Sequence, residues 1–230
     1  VAGMFQDGKL CRMTRGGVPS SNEGLLEDYA FSIEGLLALY QEDFNLEWYT
    51  LAQSLQAAQE ELFGGIGKRY SLSPVANSPL PPRQDYLDTD LPSAQAVSIS
   101  NLLVLNAMSL EPGGAGTDSE KFLQKAEKLL LAVGDSVVKN PLGHASYFSA
   151  LDLYMDSQTV VIVTPGPVEE SQATGLLTEL GANYFPQAIY LACDAGKTGS
   201  APLVVRDKEL FQGSASVYVL GSEGNVEFNH

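Results

Sequence analysis

Two cysteines, two histidines and one tryptophan in 230 residues leave little material for several common chemistries. Cys11 and Cys193 lie far apart and no Cys-x-x-Cys occurs, which argues against a zinc site or a dithiol redox centre within the chain. No metal and no cofactor are expected, and isolated thiols fit a reducing, cytoplasmic setting. Basic residues are also scarce: 13 Lys and Arg against 28 Asp and Glu give a formal net charge of −15. Such a surface repels phosphate backbones and anionic lipid headgroups, so neither nucleic acid nor a membrane surface is an expected partner. No apolar run approaches the roughly 20 residues that cross a bilayer. The opening stretch VAGMFQDGKLCRMTRGG has neither an initiator Met nor the apolar core of a signal peptide, and reads as the interior of a longer polypeptide.

What is present is a 44% hydrophobic chain with an uneven distribution of charge. GLLEDYAFSIEGLLALY, residues 24–40, has the periodicity of a helix but very few charges. Tyr29, Ile33, Leu36, Leu37 and Tyr40 form one stripe, and Asp28, Ser32 and Gly35 a second, small and polar one. Ser21 or Asn22 is the expected cap. NLEWYTLAQSLQAAQEELF then reads as a one-sided surface helix, with Trp48, Leu51, Ala52, Leu55 and Leu62 opposite Glu47, Gln53, Gln56 and Glu60, ending at Gly64-Gly65. The contrast repeats. No charge falls between Asp90 and Glu111, TDSEKFLQKAEKLLLAVG is strongly two-faced, and PLGHASYFSAL is again free of ionised groups.

Helices wet on one side thus alternate with helices wet on neither. A simple bundle would leave every helix one solvated stripe. An α/α toroid does not, because its inner helices touch outer helices on one side and a central cavity on the other. The expected fold is mainly α: a partial α/α toroid over residues 1–156, carrying a C-terminal β-α-β appendage over 157–230. In the appendage QTVVIVTPG and QAIYLACD read as buried strands flanking the helix EESQATGLLTELGANY, with ASVYVLGS a third strand. An incomplete ring leaves sticky flanks, so the remainder of a longer protein or a second copy of the chain is an expected partner.

Chemistry-bearing residues gather at the expected rim of that cavity. Glu27, Asp28 and Tyr29 open the first inner helix. Asp85, Asp88 and Asp90 precede the second, which Ser93 would cap, and His144 and Tyr147 open the third. The loop from Gly64 to Pro92, with Lys68, Arg69, Tyr70 and Arg83, would cover the rim. Paired carboxylates are the minimum for glycoside hydrolysis, so Asp28 and Asp88 are the candidate catalytic pair. Arg83 would orient a carboxylate, Ser93 and Gln95 would bind hydroxyls, and Tyr29 and Tyr147 would stack on a sugar ring. His144 suits proton abstraction in a sugar epimerase. Each has a plainer reading: first-turn carboxylates stabilise helix ends, histidines fill cores, and aromatics pack. VTPGPVEESQ could suggest a phosphate loop, but it lacks the glycine pattern and puts Glu169 and Glu170 at the helix end.

These residues resemble a known family. GKLCRMTRGG…LLEDYAFSIEGLLALY, LAQSLQAAQEELF and PPRQDYLDTDLPSAQAVSISNLLVL, and the tail TVVIVTPG…ANYFPQAIYLACD, look like the C-terminal region of the thioredoxin-domain-containing, spermatogenesis-associated family with its bacterial YyaL-like members. The resemblance is most specific at Leu26-Glu27-Asp28-Tyr29-Ala30, Asp88, Pro92, Ser93 and Asn101-Leu102-Leu103. It implies an N-terminal thioredoxin-like domain followed by a six-hairpin toroid related to glycosidases and N-acylglucosamine epimerases. On that reading the ligand is carbohydrate-like, and the alternative is a non-catalytic scaffold serving the thioredoxin-like part. Two departures stand out: Gln95 replaces the Asn usual in the family, and SVYVLGSEGNVEF lacks the family's tail cysteines.

Overall fold

The computed structural model describes residues 2–64, 69–74, 86–109, 117–167, 175, 178, 182, 185–196, 202–206, 208–210, 214–221 and 226–229. The chain begins with two small hairpins that the sequence reading did not identify. β1 (Phe5–Gln6) pairs with β2 (Lys9–Leu10), and β3 (Thr14–Arg15) with β4 (Val18–Pro19), both antiparallel. Their two-residue turns, Asp7-Gly8 and Gly16-Gly17, have positive φ at both positions, the geometry that matches strand twist.

The hairpins dictate where the first helix starts. Arg12 N–H donates to Asn22 O at 2.9 Å and Gly24 N–H to Leu10 O at 2.7 Å, which holds residues 22–24 extended. Neither Ser21 nor Asn22 can then cap. Helix α1 (Leu26–Asp43) has Leu25 at its N-cap, and Asp28 supplies the side-chain hydrogen bond in reverse, its Oδ2 accepting from Leu25 N–H at 2.8 Å. Gly24 is tightly placed: a Cβ there would lie 3.0 Å from Leu10 O and 3.2 Å from the Tyr29 ring. α1 closes on a left-handed Phe44 whose N–H reaches Tyr40 O at 2.7 Å, held edge-on against the Tyr40 ring.

Helix α2 (Leu46–Phe63) starts on Asn45, whose side chain accepts from Glu47 N–H, and packs along α1. Helices α3 (Ala94–Met108) and α4 (Thr117–Lys139) form the next packed pair, and α5 (Ala145–Asp156) follows a short 3-10 turn, Pro141–His144. α1 packs on α3 and α3 on α5, with α2 behind α1 and α4 behind α3. The described residues are therefore mainly helical, with α3, which has no ionised side chain, between α1 and α5 and backed by the strongly charged α4. One face assignment changes. Gln56, read as solvent-facing, is buried, because the segment around Tyr70 covers that side of α2 and brings the Tyr70 hydroxyl to Gln56 Nε2 at 3.3 Å.

The C-terminal sheet has the order β6-β5-β7-β8. β5 (Gln158–Thr164) runs parallel to β6 (Ala188–Asp194), as a β-α-β unit requires, and antiparallel to β7 (Ser216–Leu220); β8 (Val226–Asn229) extends the edge. The helix read over 169–184 lies largely outside the described residues. β5 is buried along its whole length after Gln158, the pattern of a strand covered on both faces. β6 meets α1 and α3, and Gln41 Oε1 of α1 accepts from Tyr190 N–H at 2.9 Å. One apolar cluster joins Ile33, Ile99 and Leu102 of the helices to Val161, Val163, Ile189 and Leu191 of the sheet. Among the described residues no helix is long and apolar enough to cross a membrane. Both cysteines are free, and burial, with Asp194 nearby, pushes the Cys193 thiol up to about 11.

Asp88 joins two helices. Its Oδ1 accepts from Ser93 N–H at 2.8 Å, at the N-cap of α3, and its Oδ2 accepts from Ser146 N–H at 2.8 Å, in the first turn of α5. The Ser146 hydroxyl donates to it as well. Burial alone would raise this carboxyl, but the hydrogen bonds from Ser146 and Ser93 outweigh it and hold it below the usual aspartate range. Asp88→Ala should therefore cost about 2 kcal/mol, roughly 1 kcal/mol for each helix start, read by urea unfolding at pH 7. A depressed folded-state pKa stabilises above the unfolded value and is lost as pH falls through the folded one. The gap between wild type and Asp88→Ala should accordingly close as pH drops below about 4. Removing the Tyr29 hydroxyl, which accepts from Leu10 N–H at 2.7 Å, leaves that buried donor unpaired, and Tyr29→Phe should cost about 1–3 kcal/mol in the same assay.

Candidate functional site

α1 buries Leu26, Tyr29, Ile33, Leu37 and Tyr40 against the rest of the protein. Asp28, Phe31, Ser32, Gly35 and Leu39, with the edge of the buried Leu36, form the floor of a groove of about 650 Å³. Met4, Leu10, Cys11 and Arg12 of the N-terminal hairpins and Leu91 of the loop before α3 make its walls. Leu39 and Leu91 remain 48% and 61% exposed, so the groove opens to water across apolar edges.

Charge is confined to one end. Arg12 Nη2 lies 2.6 Å from Glu27 Oε1, and Arg12 Nε lies 3.8 Å from Asp28 Oδ2. The ion pair is half-exposed, so it contributes position more than stability. Two carboxylates against one guanidinium leave this end net negative, and the Asp28 oxygen nearest Arg12 also accepts from Leu25 N–H. Glu27 and Asp28 sit in the first turn of α1, where the helix dipole favours anionic side chains. Among the described residues no group of three or more His, Cys, Asp or Glu is arranged to hold a metal.

The other candidate residues lie elsewhere. Tyr29 is 1% exposed, its ring edge-on to Phe63 at 5.2 Å, and burial raises its hydroxyl pKa. Asp88 is not among the residues lining the groove. Ser93 occupies the N-cap of α3, yet its buried hydroxyl has no hydrogen-bond partner among the described residues. Gln95 clasps the Tyr70 backbone, with Nε2 donating to Tyr70 O at 2.6 Å and Oε1 accepting from Tyr70 N–H at 3.2 Å. His144 is fully buried, with Nδ1 2.6 Å from Asn140 O, the Tyr86 ring stacked on it at 6.4 Å, and Nε2 unpartnered among the described residues. Tyr147 donates its hydroxyl to Leu130 O at 2.9 Å, which ties α5 to α4. Arg83, like Lys68 and Asp85, lies outside the described residues.

The structure thus gathers Asp88, Ser93 and Ser146 where α3 and α5 begin, and sets Asp28 with Glu27 and Arg12 in a separate groove. The groove residues missed from sequence, Met4, Leu10, Cys11, Arg12 and Leu91, come from segments without helical periodicity. Asp7-Gly8 and Gly16-Gly17 carried the available signal, since paired turn residues of that kind predict hairpins. A second missed cluster lies behind α2. The Tyr70 hydroxyl donates to Glu60, and Lys125 lies 3.1 Å from the same carboxylate and 4.5 Å above the Tyr70 ring.

No family profile matches the chain. It is similar to spermatogenesis-associated protein 20 of Rattus norvegicus, 29% identical over 193 residues, which cover 81% of this chain and 23% of that protein. The counterparts of Mus musculus and Homo sapiens are each 28% identical, over 79% and 74% of this chain and 22% and 21% of their own lengths. The chain therefore spans less than a quarter of the relatives it matches, and it is homologous to spermatogenesis-associated protein 20 along about four-fifths of its own length.

Proposed function

We propose that this chain is a docking module, and that the groove along α1 seats an apolar-faced segment of protein. One observation carries the reading. Ile33, Ile99, Leu102 and Ala150 of α1, α3 and α5 are buried in one apolar core, while an apolar groove lies open along α1. A ligand site of the usual kind is enclosed and has convergent polar groups. An open apolar groove with charge at one end is the form that takes a helix or extended segment. The surrounding architecture on this proposal is the α/α toroid of the family resemblance, with α1, α3 and α5 as consecutive inner helices. The remaining hairpins of a longer protein are then the natural source of the docked segment.

A second reading is supported by the groove's polar end. Glu27, Asp28, Arg12 and Ser32 present acceptors and donors beside the half-buried Phe31 ring, a combination suited to a carbohydrate-like ligand. Hydrolysis there would use Glu27 and Asp28 as the carboxylate pair in place of Asp28 and Asp88.

A thermal-shift comparison separates the two. A 12-residue helical peptide with a Leu stripe and Gln elsewhere should raise the melting temperature of this chain by roughly 5 °C at a hundredfold excess over Kd, and Leu39→Asp should abolish the shift. Neutral sugars and sugar acids should leave it unchanged. A shift with a sugar that is lost in Asp28→Asn, and none with the peptide, would replace docking by the carbohydrate reading.

A further inference from the structure

The groove's dimensions and charge specify its occupant further. From Asp28 to Leu39 the floor covers eleven residue steps of α1, about 16 Å, the length of three helical turns. At its centre stands Gly35. Glycine in a helix interior is among the least favourable choices, yet a Cβ there would meet nothing within 4 Å, so packing among the described residues does not require it. With Ser32 one turn earlier, it leaves a low saddle between Phe31 and Leu39 where another backbone can come close.

Charge around the saddle has one sign. α1 carries Glu27, Asp28, Glu34, Glu42 and Asp43 and no Lys or Arg. Among the described residues Arg12 is the single cation lining the groove, and it already faces Glu27 and Asp28. The whole chain has a net charge of −15. An acidic segment would meet repulsion from an α1 that carries only acids, whereas a basic one would find Glu27 and Asp28 at one end of the floor. We propose that the occupant is a three-turn amphipathic helix whose apolar stripe is flanked by Lys or Arg and whose backbone packs closely over Ser32 and Gly35. The inference rests on the docking reading and adds the partner's charge, shape and closeness of approach.

The test uses three fluorescent helical peptides with the same Leu stripe and either Lys, Gln or Glu at the flanking positions, titrated against the intact chain by anisotropy at 100 mM salt. The Lys peptide should bind at least tenfold tighter than the Gln peptide, and the Glu peptide should show no binding. Gly35→Ala should raise the melting temperature by about 2–4 °C, because alanine is the better helix former, while weakening the Lys peptide about tenfold. That opposition is what a purely structural glycine would not produce. Arg12→Gln should tighten Lys-peptide binding by removing the competing cation. Leu91→Glu, in the loop ahead of α3, provides a variant independent of the helix and should weaken the Gln peptide more than tenfold.

Equal binding of the Lys and Gln peptides would overturn the inference and leave docking standing. Failure of all three peptides would overturn both. Lys-peptide binding that survives Gly35→Ala unchanged, together with Gln-peptide binding that survives Leu91→Glu unchanged, would mean pairing elsewhere on an acidic surface, and would also overturn it.

Discussion

A helix with no ionised side chain has to be covered on every side, and α3 is such a helix. Most of the structure can be understood as the means of covering it. α1 and α5 flank it, α4 backs it, and β6 and the 3-10 turn Leu203–Val205 also meet it. Its polar residues then need partners inside the protein, since an unpaired buried amide is costly. Asn101 Nδ2 donates to Ala30 O at 2.8 Å, tying α3 to the middle of α1. Gln59 Nε2 of α2 donates to Ser98 Oγ at 3.3 Å. Gln95 holds the Tyr70 backbone, which places Tyr70 and Ser71 over the junction of α1, α2 and α3. These bonds have direction as well as strength, and each fixes one neighbour in register with the central helix.

Asp88 applies the same principle at the helix starts. The first N–H groups of α3 and α5 have no partners within their own helices, and one carboxylate serves both. That explains why the Ser93 hydroxyl has no partner among the described residues although Ser93 occupies the cap position. It also bears on Asp88 as a candidate reactive group. Its two oxygens accept three hydrogen bonds that define the fold, so any ligand would compete with the helix starts for them.

How much of this was legible follows from the range of each interaction. The contrast between a charge-free α3 and a two-faced α4 could be read directly, because burial acts on every residue of a helix and leaves a periodic trace. The same contrast fails for the first pair, since α1 carries five acids and α2 three. Ser93 as the residue that precedes α3 was legible for a similar local reason. Ser146 as the second partner of Asp88 was not, being 58 residues away. Nor was the cap of α1, read as Ser21 or Asn22, because hydrogen bonds between residues 22–24 and residues 10–12 hold that stretch extended and leave Leu25 at the helix start. Two-residue strands have no period to detect, so the N-terminal hairpins, and with them Arg12 and Met4, were invisible except through their turn residues. Asp28, Ser32 and Gly35 were recognisable as a separate stripe from spacing alone. Tyr29, one residue from Asp28, lies about 100° round the helix and belongs to the core instead.

That stripe distinguishes α1 from α4. Exposed apolar residues are not unusual by themselves, and α4 exposes Leu131 and Val138 by 80% and 83%. On α4, however, they are interspersed with Lys128, Asp135 and Lys139, so water reaches between them. On α1 the exposed Leu39 continues into Leu36, Gly35 and Phe31 and is walled by Met4 and Leu91. A helix face that only had to meet solvent would gain from alanine, glutamate or lysine at these positions. Serine and glycine there forgo helix propensity, and leucine forgoes hydration. The face makes physical sense when something else excludes water from it, and the acids at both ends of α1 bear on which partner can do so.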